Sequence, residues 1–323
     1  MNIRTWTVVS AFVAVVLAGA PFGRAGGDVP KIVIEEALSI GTIDDDLLYQ
    51  LTGVAVDSDG FIYVLDGMDY SLKKFDAGGL LVGKTGRKGQ GPGEFKAPRL
   101  LDCSGSRLFA TDQNNPGIQV FDRDLTFKTA IPCRSAVQAM RALGPDKVAV
   151  LTMRALGASS LQVLNAEGTL LSELSFADPK AGLLMDSASF TALPDGSFVI
   201  AYLFQDRVER WTAEGRRVWS RAVLGPKKVP TTKMDSPLGS LTLPTETCFH
   251  DIAADSRGRL FVLGGRMAKN AARDVFVLDA DGRLFTTFTL PDTSHCLVID
   301  GKDQLYVRAN EGITLKKYRM RYE

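Results

Sequence analysis

Past its first thirty residues the chain runs in short stretches of β-branched, aromatic and leucine residues, broken every few positions by Asp-Gly, Glu-Gly or Gly-Gly turns. That is the pattern of antiparallel strands packed on a core. Gly53–Asp66 shows the unit: Val54-Ala55-Val56 reads as one strand, Asp57-Ser58-Asp59-Gly60 as a tight turn, and Phe61 to Leu65 as a second strand. Leu72 to Asp76, the Gly78-Gly79 turn and Leu80 to Val82 add two more, so the unit has four strands.

The unit recurs, with blades at about 49–83, 98–132, 137–175, 188–224, 249–291 and 295–320 and an irregular insertion at 224–247. Equivalent turns at 60, 105, 146, 196, 258 and 303 are spaced by about 45, 41, 50, 62 and 45 residues, the blade period of a propeller. The sixth copy is one strand short. Lys31 to Glu36, within a strand-like segment at 28–41, belongs to no complete copy, and it predicts the missing outer strand that closes the ring. The expected fold is all-β: a six-bladed β-propeller of four-stranded antiparallel blades, closed by an N-terminal strand in the last blade and occupying 26–323 as a single domain.

Composition narrows the function classes. The 323 residues are 45% hydrophobic and 23% charged, ordinary for a globular domain and unlike a disordered one. Lys plus Arg (38) balances Asp plus Glu (37), so no global field draws the protein to nucleic acid or anionic lipid, and a charged ligand must be read by a local patch. Arg4, the apolar run from Thr5 to Ala20, and the small residues up to Ala25 form a secretory signal pattern over residues 1–25. The run of about fifteen residues is short for a membrane span, so the expectation is a cleaved, exported, periplasmic or secreted monomer without a membrane span.

Cys103, Cys133, Cys248 and Cys296 form no CxxC pair. Both buried free thiols and a Cys248–Cys296 bridge between blades five and six are open alternatives.

The linker Gly89–Pro98, together with Gly53–Asp66 before it and Ile118–Asp122 after it, resembles the NHL-repeat family of six-bladed propellers. The likeness is good over blades one and two, fair over five and six, and degenerate over three and four. The resemblance implies a propeller whose relatives include protein-binding, RNA-binding and sensor domains and a few enzymes. Among these, amidating lyases hold zinc with histidines at the channel, and this chain offers two histidines where such a site wants three. The Gly-rich linker with Lys84, Arg87 and Lys88 has no helix behind it to make a phosphate loop.

Candidate chemistry concentrates at the start of the inner strands. His250 and His295 each lie five residues before the Asp that ends an inner strand (Asp255 and Asp300), and the same slot elsewhere holds Thr52, Pro98, Gln138 and Ala188. This offset predicts both imidazoles at the rim of the channel. Loops expected on that face carry Arg154, Arg207, Arg266, Lys269, Arg273 and Arg308, a candidate cationic mouth for an anionic ligand. The competing reading is scattered charges balanced by Asp206, Glu209 and Asp274.

The leading expectation is a non-enzymatic binding module that presents the rim and the 224–247 loop to a small anionic ligand or a protein partner, with no cofactor. The alternative is a metal-dependent lyase or hydrolase holding zinc or calcium through His250 and His295, with Cys248, Glu246, Asp251 or Cys296 near enough in sequence to contribute. Asp44-Asp45-Asp46 is a weak cation candidate, more simply a solvated turn.

Overall fold

A computed structural model describes residues 30–133, 135–153, 159–176, 184–225, 229–236, 239–264 and 272–323. Six four-stranded antiparallel sheets form the ring. The inner strands, from blade one to blade six, are Leu51–Val56, Pro98–Ser104, Ala136–Gly144, Ala188–Ala192, Phe249–Ala254 and Leu297–Ile299, and each of the first five lies against the next around the channel. The described residues include a single helical turn, at Asn310–Gly312, and no helix among them is long and apolar enough to cross a membrane.

The turn that repeats in the sequence has a physical cause. The Asp ending each inner strand in blades one, five and six folds its carboxylate back over the turn: Asp57 accepts the N–H of Asp59, Gly60 and Phe61, Asp255 those of Arg257 and Arg259, and Asp300 those of Lys302 and Gln304. The fourth residue then takes positive φ, 93° at Gly60 and 74° at Gly258. The second carboxylate oxygen is held from the next strand, by the Tyr63 hydroxyl on Asp57 and the Tyr306 hydroxyl on Asp300, both at 3.0 Å. One short motif therefore fixes the turn and staples two strands.

Apolar residues from facing blades fill the six gaps between them. Ala55, Tyr63 and Leu65 of blade one meet Leu101, Leu108 and Phe121 of blade two, and Val54, Ile62 and Phe75 close the seam against Tyr306 and Leu315 of blade six. Packing is close where neighbouring inner strands meet. A Cβ built on Gly53 would stand 2.7 Å from the Leu101 nitrogen, so only glycine fits there.

Closure follows the sequence expectation. Ile32–Ile40 pairs antiparallel with Thr314–Tyr322, from Ile32 opposite Tyr322 to Ile40 opposite Leu315, as the outer strand of blade six. Residues 1–25, read as a signal segment, lie outside the described residues. The insertion is more regular than its sequence suggests: Thr231–Ser236 and Gly239–Pro244 pair as a two-stranded hairpin between blades four and five.

Candidate functional site at the channel mouth

At the end of the ring where the inner strands begin, four of them share one irregularity. Their pairing with the second strand slips between Leu51 and Gly53, Pro98 and Leu101, Val137 and Ala139, and Phe249 and Asp251. Such a bulge leaves a residue out of the ladder and re-aims its side chain. The residues released are Thr52, Arg99 with Leu100, Gln138 and His250. Blade four has no slip over Ala188–Ala192, and His295 stands two residues ahead of the blade-six strand. The sequence slot thus coincides with a bulge in blades one, three and five, whereas in blade two Pro98 is paired with Asp112 and Arg99 occupies the bulge.

The two histidines meet. Nδ1 of His295 lies 3.2 Å from Nδ1 of His250, with ring centroids 4.9 Å apart and planes at 65°, and His250 Nε2 lies 3.1 Å from Thr247 Oγ1. A hydrogen bond between two Nδ1 atoms needs one ring to donate and the other to accept, so at least one imidazole is neutral. Enclosure by the mouth, followed by the positive charge of Arg308, holds His295 below its ordinary 6.5.

Beneath the mouth, charge crosses the channel. Arg141 on blade three donates from Nη2 to Asp251 on blade five at 3.2 Å and to the Ile252 carbonyl at 3.1 Å. Asp251 also accepts the Ser189 hydroxyl of blade four at 2.7 Å and the Leu297 N–H of blade six at 3.0 Å. One carboxylate therefore ties together four blades. Nearby Asp102 accepts the N–H groups of Cys103 and Ala142. Burial pushes its carboxyl up, against the pull of Arg141.

The arginines proposed from the sequence are placed unevenly. Arg308 lies at the mouth, its Nη1 donating to the Leu51 carbonyl across the seam at 3.1 Å. Arg207 stacks 3.7 Å over the Tyr202 ring and lies 3.7 Å from Asp186 and 3.9 Å from Glu209, and Arg273 donates to the Leu290 carbonyl at 2.8 Å. These two are engaged within their own blades or at the neighbouring blade interface. Arg154, Arg266 and Lys269 lie outside the described residues.

All four cysteines are free, so the Cys248–Cys296 bridge is not made. Burial pushes both of these thiols up to about 12. No group of three or more His, Cys, Asp or Glu able to hold a metal occurs among the described residues. The donor set at the mouth is two imidazoles, short of the three protein ligands a catalytic zinc takes. In the Asp44-Asp45-Asp46 run, Asp45 accepts the Thr42 hydroxyl and the Leu47 N–H, as a turn does.

Beside the channel, between blades two and three, opens a pocket of about 500 Å³ lined by Arg99, Thr111, Asp112, Gln113, Asn114 and Ser135, among others. It is within the size range of small-ligand sites.

No protein-family model matches the chain, and no curated protein matches its sequence. Solved structures match its fold over most of its length. A member of the DUF4221 family from Bacteroides vulgatus superposes with a TM-score of 0.66 at 11% identity, covering 92% of this chain and 99% of that one. Virginiamycin B lyase from Staphylococcus aureus gives 0.55 at 12% identity over 89% and 99% of the two chains. A protein described as a putative gluconolactonase gives 0.56 at 13% over 90% and 93%. The class is a six-bladed β-propeller shared by enzymes and by families of unknown function, and fold alone does not choose among their activities.

Proposed function

We propose that this protein is an exported binding module, periplasmic or secreted, that takes a small anionic ligand at the channel mouth. The observation that supports this most directly is the set of inner-strand bulges, which turn Thr52, Arg99, Gln138 and His250 out of their ladders at one end of the ring. Natural sheets place bulges where a side chain must be re-aimed. Polar residues thereby stand at one end of the ring, with Arg308 donating to the Leu51 carbonyl and the Arg141–Asp251 pair as a floor. The likeness to NHL propellers is part of this reading as a shared architecture.

A thermal-shift screen of the mature protein against small carboxylates and phosphates tests it. The expected hit stabilises the natural sequence and loses that effect in a Gln138→Ala, His250→Ala, His295→Ala variant that keeps its fold. Hits indifferent to this variant and to Arg99→Gln would contradict the reading.

A metal-dependent lyase or hydrolase is the second reading. It is supported by one observation: the 3.2 Å between the two Nδ1 atoms is also the separation that two imidazoles adopt on one tetrahedral ion with Zn–N bonds of about 2.0 Å. Metal analysis of the purified protein decides it, since stoichiometric zinc that disappears with both histidines would establish this alternative.

A further inference from the structure

Arg99 differs from the other arginines that the structure holds close to the ring. Arg141 faces Asp251, Arg123 lies 3.3 Å from Asp57, Arg210 lies 2.6 Å from Asp195, and Arg259 lies 2.6 Å from Asp255. Arg99 has no ion-pair or hydrogen-bond partner among the described residues, although its guanidinium lines the pocket between blades two and three. The wall it lies against pushes it below its ordinary value by desolvation. Arg99 is exposed to solvent, so its guanidinium stands open to an anion that enters the pocket.

The backbone that carries it is fixed on both sides. Asp112 accepts the N–H groups of Lys96, Ala97 and Asn114, and its own backbone pairs with Pro98. Leu100 donates its N–H to the Thr111 hydroxyl at 3.1 Å. Arg99 is thus presented from a stapled backbone, so a ligand has only its side chain to order, which limits the cost of binding. The wall beside it offers the exposed amides of Gln113 and Asn114 and the hydroxyl of Ser135.

The chemistry of the ligand follows from the charges. A planar guanidinium fork matches the two oxygens of a carboxylate. Asp112 stands in the same wall with its carboxylate committed to backbone N–H groups, and its charge opposes a second negative charge on the ligand. We infer that the pocket between blades two and three binds a small organic monocarboxylate, with Arg99 gripping its two oxygens. This rests on the reading of the mouth as a ligand-binding face and names the class of ligand and its anchor.

Calorimetric titration of the mature protein with benzoate, with the uncharged isostere benzamide and with inorganic phosphate tests the assignment. Benzoate is expected to bind saturably and at least tenfold tighter than benzamide or phosphate. Arg99→Gln should weaken benzoate at least tenfold while leaving benzamide and the melting temperature unchanged, and Arg99→Lys should recover only part of the loss because the fork is missing. Equal affinity for benzoate and benzamide, tighter binding of phosphate, or an Arg99→Gln variant that binds normally would each overturn it. Absence of saturable benzoate binding would overturn the carboxylate assignment and leave the mouth reading to its own triple-variant test. Benzoate binding lost in the His250→Ala, His295→Ala variant but kept in Arg99→Gln would move the anchor to the histidines.

Discussion

Arg141 and Asp251 are 110 residues apart in sequence and two blades apart in the ring, yet their side chains meet at 3.2 Å across the channel. Both are largely shielded, with 26% and 15% of the side chain exposed. Removing Asp251 strands the guanidinium, the Ser189 hydroxyl and the Leu297 N–H together. Asp251→Ala is therefore expected to cost about 3 kcal/mol in urea unfolding, and a loss below about 1 kcal/mol would mean that solvent already satisfies these groups.

Glycine at position 53 is required by contact and not by turn geometry. A Cβ there would press on the Leu101 nitrogen at 2.7 Å and the Leu101 Cβ at 2.8 Å, whereas one at Gly144 would meet nothing within 4 Å. Gly53→Val should lower stability by about 2 kcal/mol or more, measured by thermal unfolding. Gly144→Ala is the control and should be close to neutral.

Ring closure makes a third prediction. Ile32 and Ile40 are buried at 4% and 2% exposure in the closing strand, so a chain starting at residue 41 loses both and bares the edge of Thr314–Tyr322. Burial of two such side chains is worth about 3 kcal/mol or more, and the shortened chain should unfold at distinctly lower denaturant and self-associate through the open edge. An unchanged midpoint would contradict closure by this strand.

The histidine pair predicts a pH dependence. His295 is held below 6.5 in the folded protein by the enclosing mouth and by Arg308, so between 6.5 and that lower value the unfolded chain binds more protons than the folded one. Stability from this group is complete above pH 6.5 and is lost as pH falls through the folded value. An NMR titration should place the His295 midpoint below 6.5, and Arg308→Met should move it up. A midpoint at or above 6.5 would show that neither influence acts.

Much of this was legible in the sequence because the blade is built from local signals. The Asp that caps the turn in blades one, five and six, the positive-φ residue after it and the two strands lie within about fourteen residues, as in Gly53–Asp66. The spare segment at 28–41 could be assigned by counting strands. The five-residue offset from the same capping turn sets His250 and His295 at neighbouring inner-strand starts, where their rings meet. Arg99 was missed for a local reason: the blade-two turn, around Gly105, lacks the capping Asp, so the offset landed on Pro98, one residue short of the side chain that the bulge frees. The pairing of Arg141 with Asp251 was missed for a global one, since no periodicity reports which blades face one another across a channel. A charge inside a mostly apolar inner strand, as at Asp102, Arg141 and Asp251, was the available signal. Of the arginines named from the sequence, Arg207 and Arg273 are engaged by Tyr202, Asp186 and the Leu290 carbonyl, partners that loop position alone does not disclose.

The central claim is that ligands enter at the end of the ring where the bulges lie. Crystals of the mature protein soaked with a library of small carboxylate fragments test it most directly. The account predicts bound fragments clustered around Arg99, Gln138, His250 and His295, with a carboxylate on the Arg99 fork. Fragments found only along the outer strands or at the opposite end of the channel would contradict it.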